Sequence, residues 1–124
     1  MNYTSTPDAP AAIGPYSQAI SANGFLFASG QVALMPGTGE VVGTTIEEQA
    51  ERCCQSIKAI LAANGLGFED VIKTTCFLAD MGDFAAMNAV YEKHFSGAFP
   101  ARSAVAVKTL PKGGLVEIEV IAHK

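Results

Sequence analysis

The 124-residue sequence has few of the features that mark secreted or membrane-spanning proteins. It contains three cysteines, Cys53, Cys54 and Cys76, and an odd number without framework spacing indicates reduced thiols that act as small buried hydrophobes. No apolar run approaches the roughly 20 residues that a membrane-spanning helix needs. Residues 1–16 show no basic region followed by an apolar block, so we expect no secretory signal and a cytoplasmic location.

Basic residues and histidines are also scarce. Eight Lys and Arg stand against twelve Asp and Glu, and the basic residues are scattered, which argues against a nucleic-acid partner. Neither His94 nor His123 has a Cys or carboxylate neighbour at metal-ligand spacing. The sequence contains no dinucleotide or phosphate fingerprint and no serine-nucleophile elbow. We therefore expect no metal, nucleotide or covalent cofactor.

Apolar residue types are abundant, at 49% of the chain against 16% charged residues, and this composition predicts an ordered core. The length suits one domain over residues 1–124. Because a domain of this size buries a limited fraction of its surface, further burial by oligomerisation is expected.

Turn and periodicity signals predict two helices and five or six strands. The Asn23-Gly24 pair between apolar stretches is typical of a hairpin. Thr45 and Glu48 form a capping-box pattern before a helical apolar stripe, and Asp83 is positioned to cap a second helix. After an irregular lead-in over residues 1–15, the predicted strands are 16–22, 25–32, 40–42, 71–78, 101–107 and 116–122, and the predicted helices are 45–64 and 83–94. Two helices packed on one mixed sheet define an α+β layer.

The strand over residues 101–107 carries the first candidate for ligand binding. Its alternation places Arg102, Ala104 and Ala106 on one face, so a guanidinium lies beside two methyl groups. That arrangement leaves open volume next to a bidentate donor and suits a small carboxylate. The pattern by itself favours the alternative, an arginine at a strand end that pairs with a surface acid, because exposed arginines are the common case.

The last predicted strand carries the second candidate, Glu117, just after the Gly113-Gly114 turn. A carboxylate there could orient a water or carry a proton. Glu117 and Glu119 alternate with apolar residues, and the pattern is also that of an ordinary solvated strand face.

Taken together, four segments resemble the Rid (reactive intermediate deaminase, or YjgF) family. They are APAAIGPYSQA at residues 9–19, ASGQV at 28–32, FPARSAVAV at 99–107 and LPKGGLVEIEVIA at 110–122. The similarity covers nearly the whole chain, and the C-terminal signature is specific. The resemblance implies a chorismate-mutase-like α+β fold, assembled as a homotrimer with clefts between subunits. It also implies hydrolysis of small 2-imino and 2-enamino acids to 2-oxo acids and ammonia without a cofactor.

The resemblance assigns roles to residues by position. Arg102 matches the arginine that binds the substrate carboxylate, and Glu117 matches the glutamate that positions the attacking water. Ala104 stands where many members have cysteine, which removes a thiol contact and enlarges the pocket. The residues that match cleft positions are Tyr16, Ser29, Gly30 and Asn88. Two other functions stay open: a non-enzymatic module that binds small 2-oxo acids, and a ribonuclease or translation inhibitor.

Overall fold

The computed structural model describes residues 1–124 and contains two α-helices packed on one β-sheet. The strands are β1 (Asn2–Thr4), β2 (Ala19–Ala22), β3 (Phe25–Ala28), β4 (Gln31–Val32), β5 (Val71–Leu78), β6 (Ala101–Ala106) and β7 (Val116–His123). The helices are α1 (Ile46–Ala63) and α2 (Phe84–His94). The predicted α+β architecture is therefore confirmed.

The strands form one mixed sheet in the order β1-β2-β3-β7-β5-β6, and β4 also pairs with β7. Only β5 and β6 run parallel, and α2 provides the crossover that such a pair requires. The other pairs are antiparallel, with β7 at the centre of the sheet. Strand β6 lies at the edge, so one side of its backbone is unpaired within the chain.

Helix α1 begins as the sequence predicts. The Thr45 hydroxyl accepts the Glu48 backbone N–H at 3.2 Å, and Glu48 Oε1 accepts the Thr45 N–H at 3.1 Å. This reciprocal pair satisfies donors that a helix start leaves free. The predicted apolar stripe is buried and comprises Ile46, Ala50, Cys53, Ile57, Ile60 and Leu61.

Helix α2 begins differently from the prediction. Asp83 forms no side-chain hydrogen bond to the helix start, so its predicted capping role is wrong. A 3₁₀ turn over Met81–Asp83 precedes the helix, and Asp80 caps that turn by accepting the Gly82 N–H at 2.8 Å. The extra turn moves the capping position three residues upstream.

Four other segments differ from the sequence prediction. The lead-in contains β1, which ends before the first proline, Pro7. Strand β2 begins at Ala19 rather than at residue 16, so Tyr16 lies outside it. The predicted strand 25–32 is interrupted at Ser29 and Gly30, and the predicted strand 40–42 is reduced to one bridge between Leu34 and Val41. Pairing with distant strands decided these boundaries, because short segments have weak local preferences.

The two faces of the sheet differ in what covers them. On β7, Val116, Ile118, Val120 and Ala122 are buried in the helix-facing core. The opposite face carries Phe27 and Val105, which are 50% and 45% exposed. This second face carries exposed apolar side chains beside the carboxylates of Glu117 and Glu119, and neither helix covers it.

Candidate active site

Arg102 lies on β6 and is held by one face of α2. Its Nη1 donates to Asn88 Oδ1 at 2.6 Å, and its guanidinium carbon lies 4.7 Å from the Tyr91 ring centroid and 5.3 Å from that of Phe84. Phe84, Asn88 and Tyr91 are four and three residues apart, which places them together on a helix surface. Cation–π and hydrogen-bond contacts therefore orient the guanidinium.

A buried hydroxyl pair fixes the Tyr91 ring beneath Arg102. Tyr91 Oη and Thr74 Oγ1 are 2.7 Å apart, and both residues are buried. Thr74 is also the β5 partner of Arg102 in the parallel register, so both side chains face α2. Burial raises the pKa of the Tyr91 phenol, which keeps it neutral at ordinary pH.

Arg102 lines a cavity of about 450 Å³ together with Asn88, Tyr91, Glu92 and Phe99. The guanidinium has no ion-pair partner, since the chain's one ion pair joins His94 to Glu51. A half-buried guanidinium with one of its donors bonded to an amide retains donors for an anion. This cavity can therefore receive a carboxylate.

Glu117 lies on the opposite face of the sheet, in a cavity of about 770 Å³. Burial, and secondarily the negative charge of Glu119, raise the pKa of the Glu117 carboxyl. The carboxylate lies against the backbone of Gly30. A Cβ at that glycine would overlap Oε2 and lie only 2.8 Å from Cδ of Glu117.

The predicted residues Tyr16, Ser29 and Gly30 all line this second cavity. The Ser29 hydroxyl is used within the chain, because it donates to the Ser17 carbonyl at 2.6 Å. That bond holds the segment that carries Tyr16, whose side chain is 55% exposed. Ser29 thus shapes the cavity wall through the backbone rather than presenting a free hydroxyl.

Gln18 also builds this wall, a role that the sequence analysis did not predict. Its side chain is 4% exposed, and Oε1 accepts the Thr6 N–H at 2.7 Å. Its Nε2 donates to the Thr6 carbonyl at 3.0 Å and to the Pro10 carbonyl at 2.9 Å. A single buried amide therefore organises a segment without helix or strand, where backbone groups need partners. A glutamine among small and apolar residues gives no periodic signal that would reveal this role.

Arg102 and Glu117 are not brought together within one chain. Arg102 pairs with Thr74 on the helix-facing side, whereas Glu117 pairs with Phe77 and alternates with the buried core residues of β7. Side chains that alternate along a strand point to opposite faces, so the sheet separates the two groups. Ala104 faces α2, as Arg102 does, and packs against the core rather than lining either cavity.

The cysteines and histidines lie outside both cavities. All three cysteines are free and buried, as predicted. Burial raises the pKa of Cys54 to about 12 and that of Cys76 to about 11, so these thiols stay protonated. His94 Nε2 lies 2.8 Å from Glu51 Oε1, and the His123 ring packs against Phe25 at 4.4 Å between centroids. Both histidines therefore serve packing between elements.

The fold and its cavities define an α+β protein with Arg102 in a cavity on one face of its sheet and Glu117 in a cavity on the other. The chain belongs to the Rid family: residues 6–124 match the family model described as Endoribonuclease L-PSP. Neither helix combines the length and apolarity needed to cross a membrane.

Two relatives and one solved structure show the range of proteins that this chain resembles. The mouse 2-iminobutanoate/2-iminopropanoate deaminase is 48% identical over 95% of this chain and 87% of its own. A Lactococcus lactis protein named as a candidate regulator, AldR, is 55% identical over 99% of this chain and 98% of its own. The crystal structure of Escherichia coli TdcF with bound serine superposes with a TM-score of 0.95 at 40% identity, covering 100% of this chain and 99% of that one. These similarities confirm the fold that the motifs predicted.

Proposed function

We propose that this protein hydrolyses small 2-imino acids, and the 2-enamino acids that tautomerise to them, to 2-oxo acids and ammonia. The observation that carries the proposal is the orientation of Arg102, which α2 holds at the cavity surface without an ion-pair partner. A substrate carboxylate would complete its donor set bidentately. The similarity to the mouse deaminase supports this reaction over other uses of a carboxylate site.

Glu117 acts as the general base that the reaction needs in addition to carboxylate binding. With the substrate held by its carboxylate, Glu117 accepts a proton from water as the water oxygen bonds to the imine carbon. The resulting carbinolamine takes that proton on nitrogen, and its hydroxyl proton then passes through Glu117 to the departing nitrogen as the C–N bond breaks and the new C=O forms. The products are the 2-oxo acid and ammonia, which takes up a proton from water. General acid–base assistance of this kind is typically worth about 100-fold or more.

A site that uses both residues requires two copies of the chain, because the sheet separates Arg102 from Glu117 within one copy. We propose a homotrimer whose clefts combine the Arg102 cavity of one subunit with the Glu117 cavity of another. The exposed apolar side chains of Phe27 and Val105 on the open face of the sheet support association, since exposed apolar patches mark protein–protein interfaces. Sedimentation tests this directly, and a stable monomer would contradict it. We further propose that the enzyme works in the cytoplasm.

The decisive experiment couples a threonine dehydratase, which generates the imine, to a continuous assay of 2-oxobutanoate formation. We expect this protein to accelerate formation above the rate in buffer and Arg102→Ala to abolish the acceleration. Glu117→Gln should retain 2-oxobutanoate binding while losing turnover. Equal acceleration by wild type and Arg102→Ala would refute the proposal.

A matched control separates site effects from general effects. Arg52→Ala removes an arginine of α1 that lines neither cavity, and it should leave the acceleration intact. Folding of each variant is checked by thermal unfolding, because loss of the folded state would also abolish activity.

The second candidate is a binding module that captures small oxo acids and reports them to a partner, and the name of the AldR relative favours it. Arg102 serves both functions, whereas a carboxylate near a bound anion benefits only the enzyme. A binder would therefore show tighter 2-oxobutanoate binding in Glu117→Gln and no imine hydrolysis in either form. The ribonuclease alternative would need RNA cleavage that survives stringent purification and disappears in Arg102→Ala.

A further inference from the structure

Lys112 occupies an unfavourable backbone position at the Glu117 cavity. Its φ of +56° lies in the left-handed region, which non-glycine residues seldom adopt. Pro111 and Gly113 form the turn around it, and the residue is exposed. Asparagine or glycine adopts this conformation more readily than lysine does. The presence of lysine here therefore indicates that its side chain has a function.

The Lys112 side chain crosses to a second turn of the cavity rim. Its Nζ donates to the Gly39 carbonyl at 2.8 Å, so the Pro111–Gly113 turn is connected to the loop over Gly37 and Gly39. This bond to an exposed neutral carbonyl can be exchanged at little cost for one to a carboxylate, which binds an ammonium more strongly. The ammonium is therefore available to an incoming anion.

The positive charge of Lys112 contrasts with the negative charges that line the Glu117 cavity. Lys112 is the only Lys or Arg among the residues that line the cavity, whereas Glu117 and Glu119 contribute two carboxylates. The chain as a whole carries a formal net charge of -4. An anionic substrate that approaches Glu117 meets repulsion unless a nearby cation offsets it.

We infer that Lys112 is a specificity-determining residue, whose ammonium at the cavity rim favours carboxylate-bearing ligands over neutral ones of the same shape. The inference rests on the proposed function for the location of the reacting site. It goes beyond that proposal by adding a second residue that selects for charge, besides the Arg102 of the neighbouring subunit, and this residue lies outside the proposed reaction steps. Lys112 acts on entry and affinity, and leaves the chemical step unchanged.

The test compares 2-oxobutanoate with its neutral amide, 2-oxobutanamide, by titration calorimetry on the full chain. Lys112→Asn removes the charge with a residue that tolerates the left-handed conformation, so the fold is retained. We expect it to weaken 2-oxobutanoate binding roughly two- to fivefold at low salt, as is typical of an exposed charge. The loss should vanish at about 0.5 M salt, where the screening length falls to a few ångströms. Amide binding should stay unchanged, and Lys112→Arg should restore binding of the acid.

The control variant is Lys108→Asn, which makes the same charge change at an exposed lysine that lines neither cavity. Three results overturn the inference: wild-type affinity in Lys112→Asn, an equal loss for acid and amide, or an equal loss in Lys108→Asn. Absence of 2-oxobutanoate binding by the wild-type chain overturns it as well. Failure of the coupled imine assay, with the binding differences present, would refute the proposed function and leave the Lys112 assignment standing.

Discussion

Gly30 and Glu117 fit together so closely that a side chain on the first would displace the carboxylate of the second. A Cβ at Gly30 would overlap Oε2 of Glu117 and lie 3.0 Å from its Cγ. The φ of Gly30 is not in the left-handed region, so space rather than backbone conformation requires glycine here. The break between β3 and β4 thus creates the place in which the carboxylate rests.

Gly30→Ala is therefore expected to lower imine turnover about 100-fold, the size of the assistance that Glu117 would supply. Kinetics of the coupled assay measure this, and 2-oxobutanoate binding should persist because Arg102 is untouched. In the Gly30→Ala background, Glu117→Gln should cost little more, since the carboxylate is already displaced. Gly82→Ala is the control, at a glycine that also lacks a left-handed φ and lines neither cavity. Full additivity of the two site mutations would contradict the proposed displacement.

Arg102→Lys should weaken carboxylate binding even though the charge is kept. A lysine presents a single ammonium and cannot bond Asn88 and a carboxylate in the same planar geometry. Loss of one charge-assisted hydrogen bond corresponds to about a 10- to 100-fold fall in kcat/KM. Steady-state kinetics and 2-oxobutanoate titration measure the change, with Arg52→Lys as control. Unchanged 2-oxobutanoate affinity in Arg102→Lys would show that a positive charge is enough for carboxylate binding and that the planar guanidinium is not required.

The pH dependence of turnover should reflect the raised pKa of Glu117. Only its ionised form accepts a proton, so activity falls as the pH drops through that pKa. Because burial and Glu119 raise the pKa, the acid limb of kcat/KM should lie above the value of about 4.3 for an ordinary glutamate. Glu119→Gln removes one cause and should shift the limb to lower pH, whereas Glu47→Gln on α1 should not move it. A shift of the acid limb to higher pH in Glu119→Gln would contradict the assignment of Glu117 as the base.

The Thr74–Tyr91 pair should behave as one unit in unfolding experiments. Either Thr74→Val or Tyr91→Phe leaves the other buried hydroxyl without its partner, at a cost of about 1–3 kcal/mol in the free energy of unfolding. The double variant should lose less than the sum of the two, because both polar groups are gone. Urea denaturation of the four proteins gives the coupling. Strict additivity would mean that the hydroxyls find other partners.

Much of the fold follows from local chemistry in the sequence. The Thr45–Glu48 capping box defines the start of α1, and period-two alternation correctly separates the buried and open faces of β7. Such features depend on residues a few positions apart, so they can be predicted without knowledge of the rest of the chain. The Asp83 prediction failed because it also used local sequence alone. An additional 3₁₀ turn, which the local pattern did not reveal, precedes the helix.

The family motifs could be recognised from the sequence by itself. Arg102 and Glu117 could also be predicted as functional residues, because each lies in a recognisable local pattern. Only the tertiary structure decided that they face opposite sides of the sheet. That outcome depends on register: Thr74 of β5 pairs with Arg102 on one side and with Val120 on the other, which turns Glu117 away. Strand register links residues far apart in the chain and has no local signature. The same holds for the fit of Gly30 against Glu117 and for Lys112 bonding to Gly39, which only the folded chain brings together.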